Sequence, residues 1–246
     1  MLLDYLLRLV PGFVLAGVLF LALRRAHPLL HLTLFVFLFI FTRDAMTPLG
    51  LWRIGNEGFL WIRFTQDPLT LLVLGLSSIG FVVLMQRLSP RLAETITWFQ
   101  GSLPLGILTG AGGAVLSALP VILVYRLGSI PLDVRGGPVP ALISPLILLV
   151  TLGGNLYEEV LFRGYLYGWL TGEEQIQPVP AGLLTGVFFS FGHIFLAYNV
   201  TAVGLSVLIF ALWEGCLAGL IRARYGLIPA VLSHGLAVFL LTSGWF

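Results

Sequence analysis

The chain has 246 residues, of which 58% are hydrophobic and 10% charged, with a net charge of +2 and a mean hydropathy of +1.02. Roughly a quarter of the residues of a soluble domain are charged, so these totals exclude one and indicate a polytopic membrane protein. All thirteen basic residues are arginines without a basic stripe, which excludes nucleic acid as a partner, and the single cysteine, Cys216, excludes an intrachain disulfide.

A window of roughly 20 apolar residues per helical span yields an all-α chain of about eight transmembrane helices. They cover Tyr5 to Leu23, Pro28 to Phe41, Leu69 to Met85, Ser102 to Tyr125, Ala141 to Leu170, Pro180 to Ala197, Ala202 to Ile221 and Leu227 to Trp245. The first is read as a retained span rather than a signal peptide, because Arg24 and Arg25 follow it directly and no small-residue cleavage pattern precedes them. The second is short and is expected to tilt little or to be partly re-entrant. Between the second and third lies the longest polar stretch, 42–68, where Arg43, Asp44, Arg53, Glu57, Arg63 and Asp67 are interleaved with Trp52 and Trp61. It reads as an interfacial loop or amphipathic helix, since tryptophan and arginine favour the headgroup layer. A substrate-contacting role is the alternative.

The glycines 101, 106, 110, 112 and 113 are not followed by Lys-Ser/Thr, so they form no phosphate loop and are read as sites of close helix packing. The fifth run exceeds the length of one span, and Gly153 and Gly154 in its middle predict a kink or break. Alternating spans put six arginines on each side, so the positive-inside rule leaves the orientation open. The chain divides into N-terminal helices over 1–140 and a candidate catalytic core over 141–246, within one integrated membrane domain.

The polar groups inside these spans carry the functional reading. An ionisable residue at membrane depth costs a few kcal/mol or more, by estimates of about 2.5 kcal/mol upward, and Glu158 and Glu159 stand side by side in an apolar run. Glu159 and Arg163 are four apart, acid first, which on a helix makes an ion pair. Glu158 is rotated by about 100° from Glu159 and is left without a local cation. His193, Glu214 and His234 lie in the next three spans. Counted from the ends of their runs, Glu158, His193 and His234 lie roughly 18, 20 and 10 Å below one membrane face, a common layer. A buried glutamate can take a proton from water while a histidine holds that water or donates to an oxyanion. The same trio, Glu158, His193 and His234, can equally hold zinc. A packing role is the ordinary reading of a lone buried histidine, and Glu214 reads first as a structural group bonded to a neighbouring span.

The string Glu158-Glu159-Val160-Leu161-Phe162-Arg163-Gly164 resembles the E-E-x-x-x-R motif of the CPBP family, the CAAX proteases and bacteriocin-processing enzymes. Phe189 to His193 is similar to that family's F-x-x-x-H motif, and Phe210 to His234 resembles the approach to its third. The resemblance covers about 141–240. It implies an intramembrane endopeptidase with Glu158 as the base that activates water, His193 positioning that water and His234 stabilising the oxyanion. Glu159, Arg163, Phe189 and Glu214 would support them, and no cofactor would be required. One departure stands out: the residue four after His234, an Asn in the family pattern, is Val238 here, so another group such as Ser233, Thr242 or Glu214 has to orient that histidine.

The expected partners are membrane lipid and a membrane-associated protein or peptide substrate. The expected location is the cell (inner) membrane if the source is bacterial. Two rival classes are a non-catalytic immunity or scaffold protein of the same fold and a transporter relaying protons through Glu158 and Glu214. A rhomboid-type serine site, an H-E-x-x-H metal site and a buried aspartate pair are each absent from the sequence.

Overall fold

A computed structural model describes residues 1–55 and 59–246, so Glu57 of the polar stretch lies outside the described residues. The chain opens with α1 (Leu2–Ala22) and α2 (Pro28–Asp44), the latter continued by a 3₁₀ turn over Thr47–Leu49. With that turn the second span reaches 22 residues, longer than the sequence suggests. An antiparallel ribbon of β1 (Trp52–Ile54) and β2 (Ile62–Phe64) follows. Then come α3 (Pro68–Leu88), the single turn α4 (Pro90–Ala93), α5 (Leu103–Leu127), α6 (Ser144–Glu159), a π-helical segment over Val160–Leu166 and the short α7 (Tyr167–Gly172). The last helices are α8 (Pro178–Phe191), α9 (Leu205–Tyr225) and α10 (Leu227–Thr242), with a second π segment, Leu196–Val200, between α8 and α9. Proline begins α2, α3 and α8, where its missing N–H leaves no hydrogen bond unmade.

Among the described residues seven helical spans are long and apolar enough to cross a membrane. The eighth expected span is the shorter, 16-residue α10. The chain is thus an all-α integral membrane protein. Leu3, Leu7, Val14, Val18 and Leu21 of α1 and Leu108, Val115 and Val124 of α5 are exposed, as expected of helices that face lipid tails.

In lipid, apolar surface gains little by leaving the solvent, so close packing and buried polar bonds hold helices together. The later helices use glycine for this. A Cβ on Gly182 of α8 would lie 2.5 Å from the carbonyl oxygen of Gly219, and one on Gly219 of α9 2.1 Å from that of Gly182. The α8 and α9 backbones therefore touch. Gly110 and Gly113 likewise admit α10, since added Cβ atoms would meet the Pro229 carbonyl at 2.6 Å and the Ser233 hydroxyl at 2.6 Å. Of the glycines in the 101–113 run, Gly106, Gly110 and Gly113 are packing positions, as read from the sequence, whereas a Cβ at Gly112 would meet nothing within 4 Å and Gly101 is a positive-φ residue with no close neighbour.

Two local expectations change. The stretch after α2 forms the β ribbon rather than an amphipathic helix: paired residues of an antiparallel ribbon point the same way, so Trp52, Ile54, Ile62 and Phe64 make one apolar face and Arg53 and Arg63 the other. Arg63 fixes the ribbon, donating from Nη1 to the Leu241 carbonyl at the end of α10 (2.9 Å) and from Nε to that of Gly137 (3.2 Å). The long fifth run does not break at Gly153 and Gly154. α6 is continuous there because Gly153 seats the helix against α3, where a Cβ would come 2.7 Å from the Gly75 carbonyl. The irregularity comes later, as the π segment directly after the two glutamates.

Gly219→Ala should lower the thermal unfolding midpoint in micelles, with a loss of about 1–3 kcal/mol for a methyl forced into a packed contact. Gly112→Ala, where nothing lies within 4 Å, should be neutral or stabilising by up to about 1 kcal/mol through helix propensity. Equal midpoints for both variants would contradict this packing.

Candidate active site

α6 delivers Glu158 and Glu159 to the protein interior at its last turn. The following π segment turns Arg163 inward without ending the helix; insertions of this kind recur at functional sites. Glu159, Arg163 and Glu214 are fully buried. Arg163 donates from Nη1 to Glu159 Oε1 (2.9 Å) and from Nη2 to the Gly215 carbonyl (2.9 Å), with Glu214 Oε2 at 4.0 Å. Its own carbonyl accepts from Arg222 Nε at 2.8 Å, and the Arg222 guanidinium lies over the Tyr167 ring. Arg222 thereby satisfies a backbone oxygen in the widened helix. That role has no direct sign in the sequence, since nothing in a linear pattern links a base on one span to a carbonyl on another.

His234, on α10, donates from Nδ1 to Glu159 Oε1 at 2.9 Å, with Glu214 Oε2 at 3.7 Å. A carboxylate oxygen only accepts, so the proton is on Nδ1 and Nε2 is left for other work. The orienting group missing at Val238 is supplied by Glu159. Glu214, one of the groups expected to take that part, stands close by, whereas neither Ser233 nor Thr242 bonds the ring: the Ser233 hydroxyl has no partner among the described residues, and that of Thr242 donates to the Phe239 carbonyl.

His193 occupies a turn that interrupts the helix between α8 and the next helical residues. Its Nδ1 lies 2.8 Å from the Phe189 carbonyl, again an acceptor, so Nδ1 carries the proton and Nε2 is an acceptor when the ring is neutral. Phe189 is the common wall of the site. Its ring centroid is 4.5 Å from that of His193 and 5.3 Å from that of His234, and the Arg163 guanidinium lies 4.4 Å above it.

Glu158 differs from its neighbour. Its Oε2 has no hydrogen-bond partner among the described residues, and it lines a largely apolar cavity of about 480 Å³ together with Asn155, His193 and His234. The apolar ribbon face, Trp52, Ile54, Ile62 and Phe64, lines the same cavity, as do Tyr5, Leu9 and Phe13 of α1, Leu74 and Phe81 of α3, and Arg43 of α2. The three expected residues Glu158, His193 and His234 line one cavity together with Phe189, and Glu159 lies behind them. Glu214 does not line the cavity but closes the buried cluster.

Zinc fits this arrangement poorly. Among the described residues the group that brings three ligand atoms within 4.8 Å of one another is Glu159, Glu214 and His234, not the expected Glu158, His193 and His234. Arg163 already lies against both carboxylates of that group, and His234 Nδ1 is a donor there. A metal would have to displace a fully buried guanidinium.

Residues 140–240 match the family model described as Rce1-like, type II CAAX prenyl endopeptidase Rce1-like. No curated protein and no solved structure matches the chain.

Removing Arg163 leaves two buried carboxylates without their fixed cation. Arg163→Met should therefore cost about 3–5 kcal/mol, the usual effect of stripping one partner from a buried ion pair. Arg163→Lys should recover only part, since a single ammonium cannot present the guanidinium fork to both Glu159 and Gly215. Thermal midpoints of the three proteins in one detergent check this; a wild-type midpoint for Arg163→Met would show that the cluster does not stabilise the fold.

Proposed function

Through residues 140–240 the chain belongs to the CPBP/CAAX protease family, and from that premise we propose that Glu158 is the base of an intramembrane endopeptidase that cuts a membrane-associated protein or peptide. The observation that carries this reading is the division between the two adjacent carboxylates. Glu159 is committed to Arg163 and His234, while Glu158 lines the same cavity as both histidines.

Hydrolysis of an amide needs a water stripped of one proton, a stabilised oxyanion and a proton for the leaving nitrogen. In the proposed mechanism the Glu158 carboxylate and His193 Nε2 accept the two hydrogens of one water, leaving an oxygen lone pair to attack the scissile carbonyl carbon. Glu158 takes the first proton as the C–O bond forms. The oxyanion accepts from His234 Nε2–H. For that donation His234 acts as an imidazolium, which together with Arg163 balances the two carboxylates Glu159 and Glu214. When the tetrahedral intermediate collapses, Glu158 returns its proton to the departing nitrogen and the C–N bond breaks. No step passes through a metal, in keeping with the poor fit of the donors to one.

The largely apolar cavity favours a substrate segment that arrives from lipid or the interface. The rival readings weaken on named residues. Val238 suggests a non-catalytic relative only while His234 has no orienting group, and Glu159 is one. A proton relay through Glu158 and Glu214 would need both on one path, and Glu214 lies outside the cavity.

Glu158→Gln should lower cleavage by about 10²–10⁴-fold, the usual contribution of a general base, with insertion and expression unchanged. Comparing membrane proteomes from cells carrying wild-type or Glu158→Gln protein should reveal a precursor that accumulates with the variant, and cleavage retained by it would sink the assignment. Chelator treatment should leave activity intact; a stoichiometric metal lost together with activity would overturn the metal-free mechanism.

A further inference from the structure

A fixed cation on the cavity wall, Arg43, comes from outside the segment 140–240, in the last turn of α2. It is almost fully buried, as is the neighbouring Asp44. Arg43 Nε donates to Asp44 Oδ1 at 2.8 Å, and its guanidinium lies 4.8 Å from the Phe39 ring centroid. Its Nη2 crosses to the other half of the molecule and donates to the carbonyl of Gly192 at 3.0 Å.

The residue after Gly192 is His193. The carbonyls at the end of a helix have no partner within it, and three of those near this end are taken locally. Phe188 O accepts from the Gly192 amide, Ser190 O from the His193 amide and Phe189 O from the His193 ring. Gly192 O, past the end of α8, is taken by Arg43. The turn that aims His193 is thus bonded on one side to its own helix and on the other to α2. Two nearly buried charges are a costly way to join helices, and apolar residues would serve if adhesion were the whole task.

We propose that Arg43, held by Asp44, is a positioning residue for His193: it fixes the 189–193 turn so that the ring keeps its proton on Nδ1 and presents Nε2 to the cavity. This rests on the reading of Glu158 and His193 as the water-activating pair. It also makes the N-terminal helices part of the catalytic unit. Arginine suits the place because its planar fork reaches a carboxylate and a carbonyl at once while stacking on an aromatic ring, which a lysine cannot do.

Two measurements on the full-length protein in lipid nanodiscs test it. The first is ¹⁵N NMR of histidine-labelled protein, with the His193 signals assigned by His193→Gln. Wild type should show a single Nδ1-protonated form, and Arg43→Gln a mixture of tautomers; an unchanged His193 spectrum in Arg43→Gln overturns the proposal whether or not the protein is a protease. The second uses the precursor that accumulates with Glu158→Gln as the cleavage probe. Arg43→Gln should lower kcat by about 10- to 100-fold, the scale of a small displacement of a catalytic group, with KM changed by less than about threefold. Asp44→Asn, which keeps an oxygen acceptor for Nε–H, should lose markedly less than Arg43→Gln. Wild-type kcat in Arg43→Gln, or a loss confined to KM, refutes the positioning role, whereas cleavage by Glu158→Gln refutes the assignment of the base. Should Arg43→Gln fail to insert, Arg43→Lys and Asp44→Ala carry both measurements with the same expected directions.

Discussion

A guanidinium buried at membrane depth, Arg163, conditions the rest of the structure. It cannot stand there unpaired, and its partners come from two helices: Glu159 one turn before it on the same chain segment and the Gly215 carbonyl on α9. Glu159 in turn holds His234 of α10, and Arg222 of α9 binds the Arg163 carbonyl. One cation therefore ties α6, the π segment, α9 and α10 together. The lack of a side chain at Gly215 of α9 leaves room for this, since a Cβ there would come 3.0 Å from Arg163 Nη2.

That network also sets the chemistry beside it. Because Glu159 satisfies the cation and orients one histidine, the adjacent Glu158 is released from structural duty and faces the cavity. Two identical side chains next to each other in sequence are made different by the helical period. Phe189 separates the rings and keeps both histidines on the cavity wall. The apolar remainder of the cavity comes from elements far away in sequence: α1, α3 and the ribbon face carrying Trp52, Ile54, Ile62 and Phe64.

Much of the site was legible in the linear pattern, because it depends on local geometry. The Glu159–Arg163 pair follows from four-residue spacing, and the release of Glu158 from a rotation of about 100° per residue. The common layer of Glu158, His193 and His234 follows from counting helical rise. Other features were harder to read. The ribbon was concealed by its brevity: Trp-Arg-Ile and Ile-Arg-Phe alternate with period two, but three residues are too few to stand against a surrounding amphipathic pattern. Gly153 looked like a weak point in a helix and is a contact surface, a distinction that depends on whether a neighbouring backbone fills the space.

Composition and spacing by themselves determined that this is an all-α membrane protein, which helices carry its polar groups, and which glutamate is paired. These properties are set by the bilayer and by the helical repeat, both of which act on a chain before it packs. Tertiary structure alone decided what orients His234, which atom of His193 is free, and how the N-terminal helices reach the site. Each of these depends on a hydrogen bond between residues far apart in the chain, 75 positions for His234 and Glu159 and 149 for Arg43 and Gly192. Such distances have no trace in local periodicity, because only the packing of whole helices brings the partners together.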